Sequence, residues 1–217
     1  MEKLTPLEEE SLVTAMASAV METVKSFDIH EPAYALILTY SVDVFGDLLP
    51  WAAVGLARER ADFIKNAPLD AADLMWDQNV LTHCDPLESL LYDEDFMKRF
   101  ERFQKEAQAS KRPADKITAL MLRVCFLLQK AEWSGLFPLT EDFTVAALTV
   151  EGAGLLENLS MLLSDEAFSA LCSLLADASD LLDADVALDS VFNSFTLTPE
   201  RLKQLCAPAI LNEIDCE

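Results

Sequence analysis

Ala33-Tyr34-Ala35-Leu36-Ile37-Leu38-Thr39-Tyr40-Ser41-Val42 is an almost unbroken run of aromatic, β-branched and other apolar residues, entered from Pro32 and left through a polar segment, 43–47, that holds Gly46. Such residues suit the pleated, buried surface of a strand. Downstream, Trp51-Ala52-Ala53-Val54-Gly55-Leu56-Ala57 follows Pro50, is again short and apolar, and gives way to Arg58-Glu59-Arg60. The two runs predict a hairpin with a long loop, buried on both faces; the Ala, Leu and Arg content leaves a helix over 51–65 as the alternative. Upstream, Thr5-Pro6-Leu7-Glu8 has the form of a helix start, with Thr5 as cap, Pro6 in the first turn and Glu8 completing a capping box. Leu12, Met16, Ala19, Val20, Met21, Val24 and Phe27 recur at three- and four-residue steps, so the helix extends over about 6–26 with one face buried.

Residues 66–93 carry Pro68, Pro86, Trp76, His83-Cys84 and many Asp without a sustained period, which predicts loops with one short helix. Residues 94–109 place Phe96, Phe100, Phe103 and Ala107 on one helical face. Pro113 opens a second long helix, with Ile117, Leu120, Met121, Val124, Leu127 and Leu128 on its apolar side and a stop near Ser134-Gly135. The β-branched run 143–150 is the next strand. A leucine-rich helical pattern follows over 155–163, then a cap at Ser164-Asp165-Glu166 before 166–176, a strand over 191–197 and a last helix from Thr198-Pro199-Glu200. The chain therefore reads as one α+β domain over 1–217: a small, mainly antiparallel sheet packed with several long helices, and an acidic, helix-rich portion from about 151 to the end.

Charge restricts function more than any motif does. The 217 residues hold 38 Asp and Glu against 16 Lys and Arg, a net charge of -22, with 52% hydrophobic residues. That composition folds, and its field repels phosphate backbones and anionic lipid heads, which argues against nucleic-acid and membrane-surface partners. The imbalance is uneven, since residues 133–217 contain 15 acidic groups and 2 basic ones. The acidic start MEKLTPLEEESL lacks the basic and apolar regions of a secretory leader, and no apolar run is long enough to span a bilayer, so a soluble cytoplasmic protein is expected. Cysteines 84, 125, 172, 206 and 216 are odd in number, and three lie in apolar runs, as reduced buried thiols do.

Catalytic and cofactor motifs are weak. Only five glycines are present, and Glu151-Gly152-Ala153-Gly154, which mimics a dinucleotide fingerprint, has Glu157 where a small residue is needed. His30 and His83 are the only imidazoles; Cys84 adjoins His83, where neighbouring side chains diverge, so a nucleophilic Cys84 would need another base. No CxxC, HxxxH or HExxH spacing occurs, which leaves no metal, cofactor or catalytic set to name. The densest feature is Asp177, Asp180, Asp183, Asp185 and Asp189, where an EF-hand would want an oxygen ligand and then glycine at positions filled by Ala187 and Leu188. As a surface, these carboxylates would attract a basic protein.

The order of elements adds one resemblance. A capped helix, Tyr34-Ala35-Leu36-Ile37-Leu38-Thr39-Tyr40, a loop with Asp43, Gly46 and Asp47, a strand at Pro50-Trp51, then Trp76-Asp77, paired helices and Asp142-Phe143-Thr144-Val145 over about residues 5–175 resemble the bacterial domain of unknown function 4303 family. That likeness implies an α+β fold and an immunity-type role, and no catalytic residues. The expected function is a non-enzymatic protein-binding module with an acidic surface for a basic partner, as a monomer or homodimer. The alternatives are a small hydrolase or transferase with a site in the 66–93 loops, and an oligomeric scaffold.

Overall fold

The computed structural model describes residues 3–42, 49–67 and 74–150. Helix α1 (Pro6–Ser26) starts as its sequence dictates: the Thr5 hydroxyl accepts from the Glu8 N–H at 3.3 Å, and the Glu8 carboxylate accepts from the Thr5 N–H at 2.8 Å. Its Leu12, Met16, Ala19, Val20 and Val24 are buried. Strand β1 (Ala33–Tyr40) follows and is buried along its whole length. Strand β2 (Trp51–Leu56) pairs with it antiparallel, confirming the hairpin. The two readings of 51–65 each hold in part, because β2 runs directly into helix α2 (Ala57–Asn66).

In the described part of the 66–93 segment a 3₁₀ turn spans Glu88–Tyr92, and the reading of loops with one short helix misses strand β3 (His83–Pro86), while residues 68–73 lie outside the described residues. Four residues with one proline carry too little periodicity to announce a strand, and β3 exists because β2 offers it a ladder, Trp51 opposite Pro86 through Val54 opposite His83. Helices α3 (Glu94–Gln108) and α4 (Pro113–Gln129) come next. Helix α4 ends at Gln129, before the Ser134-Gly135 stop read from the sequence. Its last turn tightens, with Lys130 N–H on the Leu127 carbonyl, and the Trp133 indole N–H donates at 2.7 Å to the Leu128 carbonyl.

Strand β4 (Leu139–Thr149) closes the described part of the sheet, whose order is β3-β2-β1-β4. Two pairings are antiparallel and the β1–β4 pairing is parallel, so the sheet is mixed. Regular β1–β4 register begins at Ala35 opposite Thr144, after an irregularity from Ala33 opposite Leu139; the run of β-branched residues in the sequence coincides with the regular part.

The sheet has two buried faces. Leu36, Leu38, Ala52, Val54, Val145 and Ala147 pack with α1, α3 and α4 in the larger core. Ala35, Ile37, Ala53, Ala146 and Leu148 share the opposite face with Tyr34, Met75, Trp76 and Leu81, and Phe63 of α2 packs there too. A central strand covered on both sides has no use for alternation, which is why β1 reads as a continuous apolar run. No described helix is long and apolar enough to cross a membrane. The expected hairpin-loop residues 43–47, the Gly152/Gly154 turn and every element assigned beyond 150 lie outside the described residues.

Candidate functional site

The 66–93 region meets the sheet on its second face, and the geometry there begins with a bulge. Between Ala33 and Ala35 the β1–β2 register slips, so Tyr34 and Ala35 face the same side. The Tyr34 ring consequently lies across Gly55, where a β-carbon would collide with Tyr34 Cζ. Its hydroxyl donates to the Met75 carbonyl, the Arg60 guanidinium sits 4.9 Å from the ring centroid, and Trp76 approaches edge-on at 6.3 Å. Burial above all, and then the Glu59 charge, push the Tyr34 phenol well above its ordinary range, against the opposing charge of Arg60. Glu59, itself buried, accepts from the Leu56 N–H at 3.0 Å and the Thr82 N–H at 2.8 Å. One carboxylate thus ties the start of α2 to the approach to β3. This hub is absent from the sequence reading, although the lone Gly55 in an apolar strand signals a close approach of some neighbour.

Cys84 stands on β3 opposite Ala53, at the edge of the same apolar face. Burial, followed by the charges of Asp85 and Asp77, pushes its thiol up to about 11. His83 projects to the other side, where its ring stacks on Phe27 at a centroid distance of 5.4 Å. Alternation along the strand therefore separates imidazole from thiol, as adjacency in the sequence implies. The second histidine, His30, lies 3.5 Å from Asp28 with both side chains exposed. Among the described residues no group of three His, Cys, Asp or Glu side chains could hold a metal ion.

The helical side organises charge. Arg123 of α4 reaches Glu9 at 3.2 Å and Glu10 at 2.6 Å on α1, Arg102 of α3 reaches Glu8 at 2.7 Å, and Lys116 of α4 reaches Glu106 of α3 at 2.9 Å. The Thr5 N–H first, and Arg102 next, hold the Glu8 carboxyl down to about 2. Burial raises Glu106, but its bonds from Lys116 and the Leu4 N–H and the nearby charges of Lys116 and Lys3 outweigh that and lower it overall. Arg58 pairs with Glu31, and Arg112 with Asp115. Five of the cations, Arg58, Arg102, Arg112, Lys116 and Arg123, are thus paired with carboxylates, and Arg102, Lys116 and Arg123 join helices.

Exposed large apolar side chains among the described residues are scattered, at Leu7, Trp51, Val80 and Val150, except on the 3₁₀ turn, where Leu91 at 52% and Tyr92 at 84% are exposed side by side. The sequence carries this feature only as an apolar pair just before Asp93-Glu94-Asp95. The candidate partner-binding residues Asp177, Asp180, Asp183, Asp185 and Asp189 lie outside the described residues. No protein-family model, curated protein or solved structure matches the chain.

Proposed function

We propose that this chain is a non-enzymatic protein-binding module that presents an acidic surface to a basic partner protein, as an immunity-type protein of bacteria would. The observation that supports it is the division of charge. Arg102, Arg123 and Lys116 are consumed in clamping three helices together, while residues 133–217 bring 15 acidic groups with 2 basic ones to offset them. Uncompensated charge of one sign raises encounter rates with an oppositely charged protein and deters like-charged ones. A hydrolase or transferase built on Cys84 would need a thiolate and a base, and the site offers a thiol pushed up to about 11 beside a histidine that points away.

The test compares the full chain with a variant carrying Asp177→Asn, Asp180→Asn, Asp183→Asn, Asp185→Asn and Asp189→Asn, each immobilised and exposed to bacterial lysate at low salt. The expected result is a basic protein that elutes from the wild type as salt rises and elutes earlier from the variant. Capture with equal affinity and equal salt dependence by both chains would overturn the acidic-surface mechanism.

A further inference from the structure

Resting on that reading, we infer that the partner docks at the 3₁₀ turn Glu88–Tyr92, with Leu91 and Tyr92 as apolar anchors and the occupant a lysine- or arginine-rich segment of the partner that carries an apolar side chain. The turn is fixed at both ends. Leu87 and Leu90 are buried in the larger core, and the Leu87 N–H donates at 3.1 Å to the Pro50 carbonyl. At the other end the Asp93 carboxylate accepts from the N–H groups of Asp95 at 3.0 Å and Phe96 at 2.9 Å, and Phe96 is fully buried. The core accounts for Leu87, Leu90 and Phe96 in this stretch. It gives no role to Leu91 or Tyr92, which the same anchors hold out in solvent. An aromatic side chain presented on a rigid turn loses little freedom on binding, which is how interface anchors operate.

Charge complementarity selects the occupant. From Asp85 to Met97 the chain carries Asp85, Glu88, Asp93, Glu94 and Asp95, with neither Lys nor Arg among them, and all five are exposed. The nearest cation along the chain, Lys98, is 3.6 Å from Glu94 at the surface. A lysine or arginine would find the exposed Tyr92 ring for a cation–π contact and the exposed carboxylates next to it in the chain, at 93–95, for ion pairs. Nucleic acid, an anionic membrane or a second copy of a chain with a net charge of -22 would meet repulsion at the same place.

The experiment follows the amide resonances of the isotopically labelled full chain during titration with a capped octapeptide of six arginines and two leucines. A peptide with glutamate in place of arginine is the control. Shifts centred on 88–95, with binding weakened about tenfold or more by Tyr92→Ala and less by Leu91→Ser, are expected. Both side chains are exposed, so an unchanged melting temperature will show that the variants remain folded. Shifts confined to 177–189, indifferent to Tyr92→Ala, would overturn this docking site while leaving the acidic-surface reading intact. Absence of any shift with the arginine peptide, or equal shifts with the glutamate peptide, would overturn both.

Discussion

The ring of Tyr34 rests on the bare α-carbon of Gly55 on the adjacent strand, in a space that a single methyl group would fill. The ring has nowhere to retreat, because its hydroxyl is tied to the Met75 carbonyl, Trp76 meets its edge and Arg60 covers it. Gly55→Ala should therefore destabilise the fold by about 1–3 kcal/mol, the usual cost of overpacking. Tyr34→Phe should cost about 1–2 kcal/mol by leaving the Met75 carbonyl without its donor. Urea denaturation measures both, and a Gly55→Ala midpoint indistinguishable from wild type would show that the ring is not confined.

Glu59 joins two backbone N–H groups that are distant in sequence, those of Leu56 and Thr82. Glu59→Ala would leave the Leu56 N–H unpaired in a buried setting and the Thr82 N–H in a partly buried one, at a cost of about 1–3 kcal/mol for the first and less for the second, where water can replace the carboxylate. The loss should be local before it is global. Hydrogen exchange at the Thr82 amide should accelerate in the variant well before exchange in β1 does, and uniform acceleration across the sheet would contradict the bracket role.

These two cases mark what could be read from the residues. Helix α1, its capping box and the β1–β2 hairpin follow from local chemistry: cap residues, apolar spacing and β-branched runs act over a few positions, and the structure reproduces them. Strand β3 and the parallel β1–β4 pairing depend on which distant strand supplies the ladder, and no local pattern encodes that. The downstream glycine suggests a later end for α4 than Gln129, where the Trp133 indole reaches back to the Leu128 carbonyl across a distance that local pattern does not encode. At the site, Cys84 and His83 could be named as residues, and alternation foretold their divergence. The Tyr34–Gly55–Glu59 hub required contacts across 20 or more positions, visible only as an isolated glycine.

Cys84 gives a direct test of the enzymatic alternative. With its thiol pushed up to about 11 from an ordinary 9.0, the thiolate fraction at neutral pH falls about a hundredfold below that of a free cysteine. Alkylation at Cys84, followed by peptide mapping, should be slow at pH 7 and accelerate about tenfold per pH unit until near pH 11. Rapid labelling below pH 7 would reveal an activated thiol and return the hydrolase or transferase reading to the front.

Glu8 sets an acid limb on stability. Its folded value of about 2 lies below the ordinary 4.5, so the ionised form is favoured in the native state. Its stabilising contribution is then fully present above pH 4.5 and is lost as pH falls towards 2. Glu8→Gln should lower the urea midpoint at neutral pH, and the difference from wild type should shrink through that acid window. A difference that stayed constant down to pH 2 would mean that the bond to the Thr5 N–H and the pairing with Arg102 contribute nothing through charge.

Salt acts on two opposing sets of interactions, and their magnitudes decide the sign. The helix clamps Arg102–Glu8 and Arg123–Glu10 are partly exposed, and such pairs contribute about 0–1 kcal/mol each, which salt reduces. Against them stands the mutual repulsion of a chain with a net charge of -22, acting over distances longer than any ion pair. Raising ionic strength from about 0.01 M to about 0.15 M shortens the screening length from about 30 Å to about 8 Å, which cuts the long-range repulsion far more than the contact pairs. The melting temperature should therefore rise by a few degrees, at about 2–4 °C per kcal/mol for a chain of this size. Melts that coincide or fall with salt would mean that the ion pairs outweigh the repulsion and that the acidic surface is better compensated than the charge count implies.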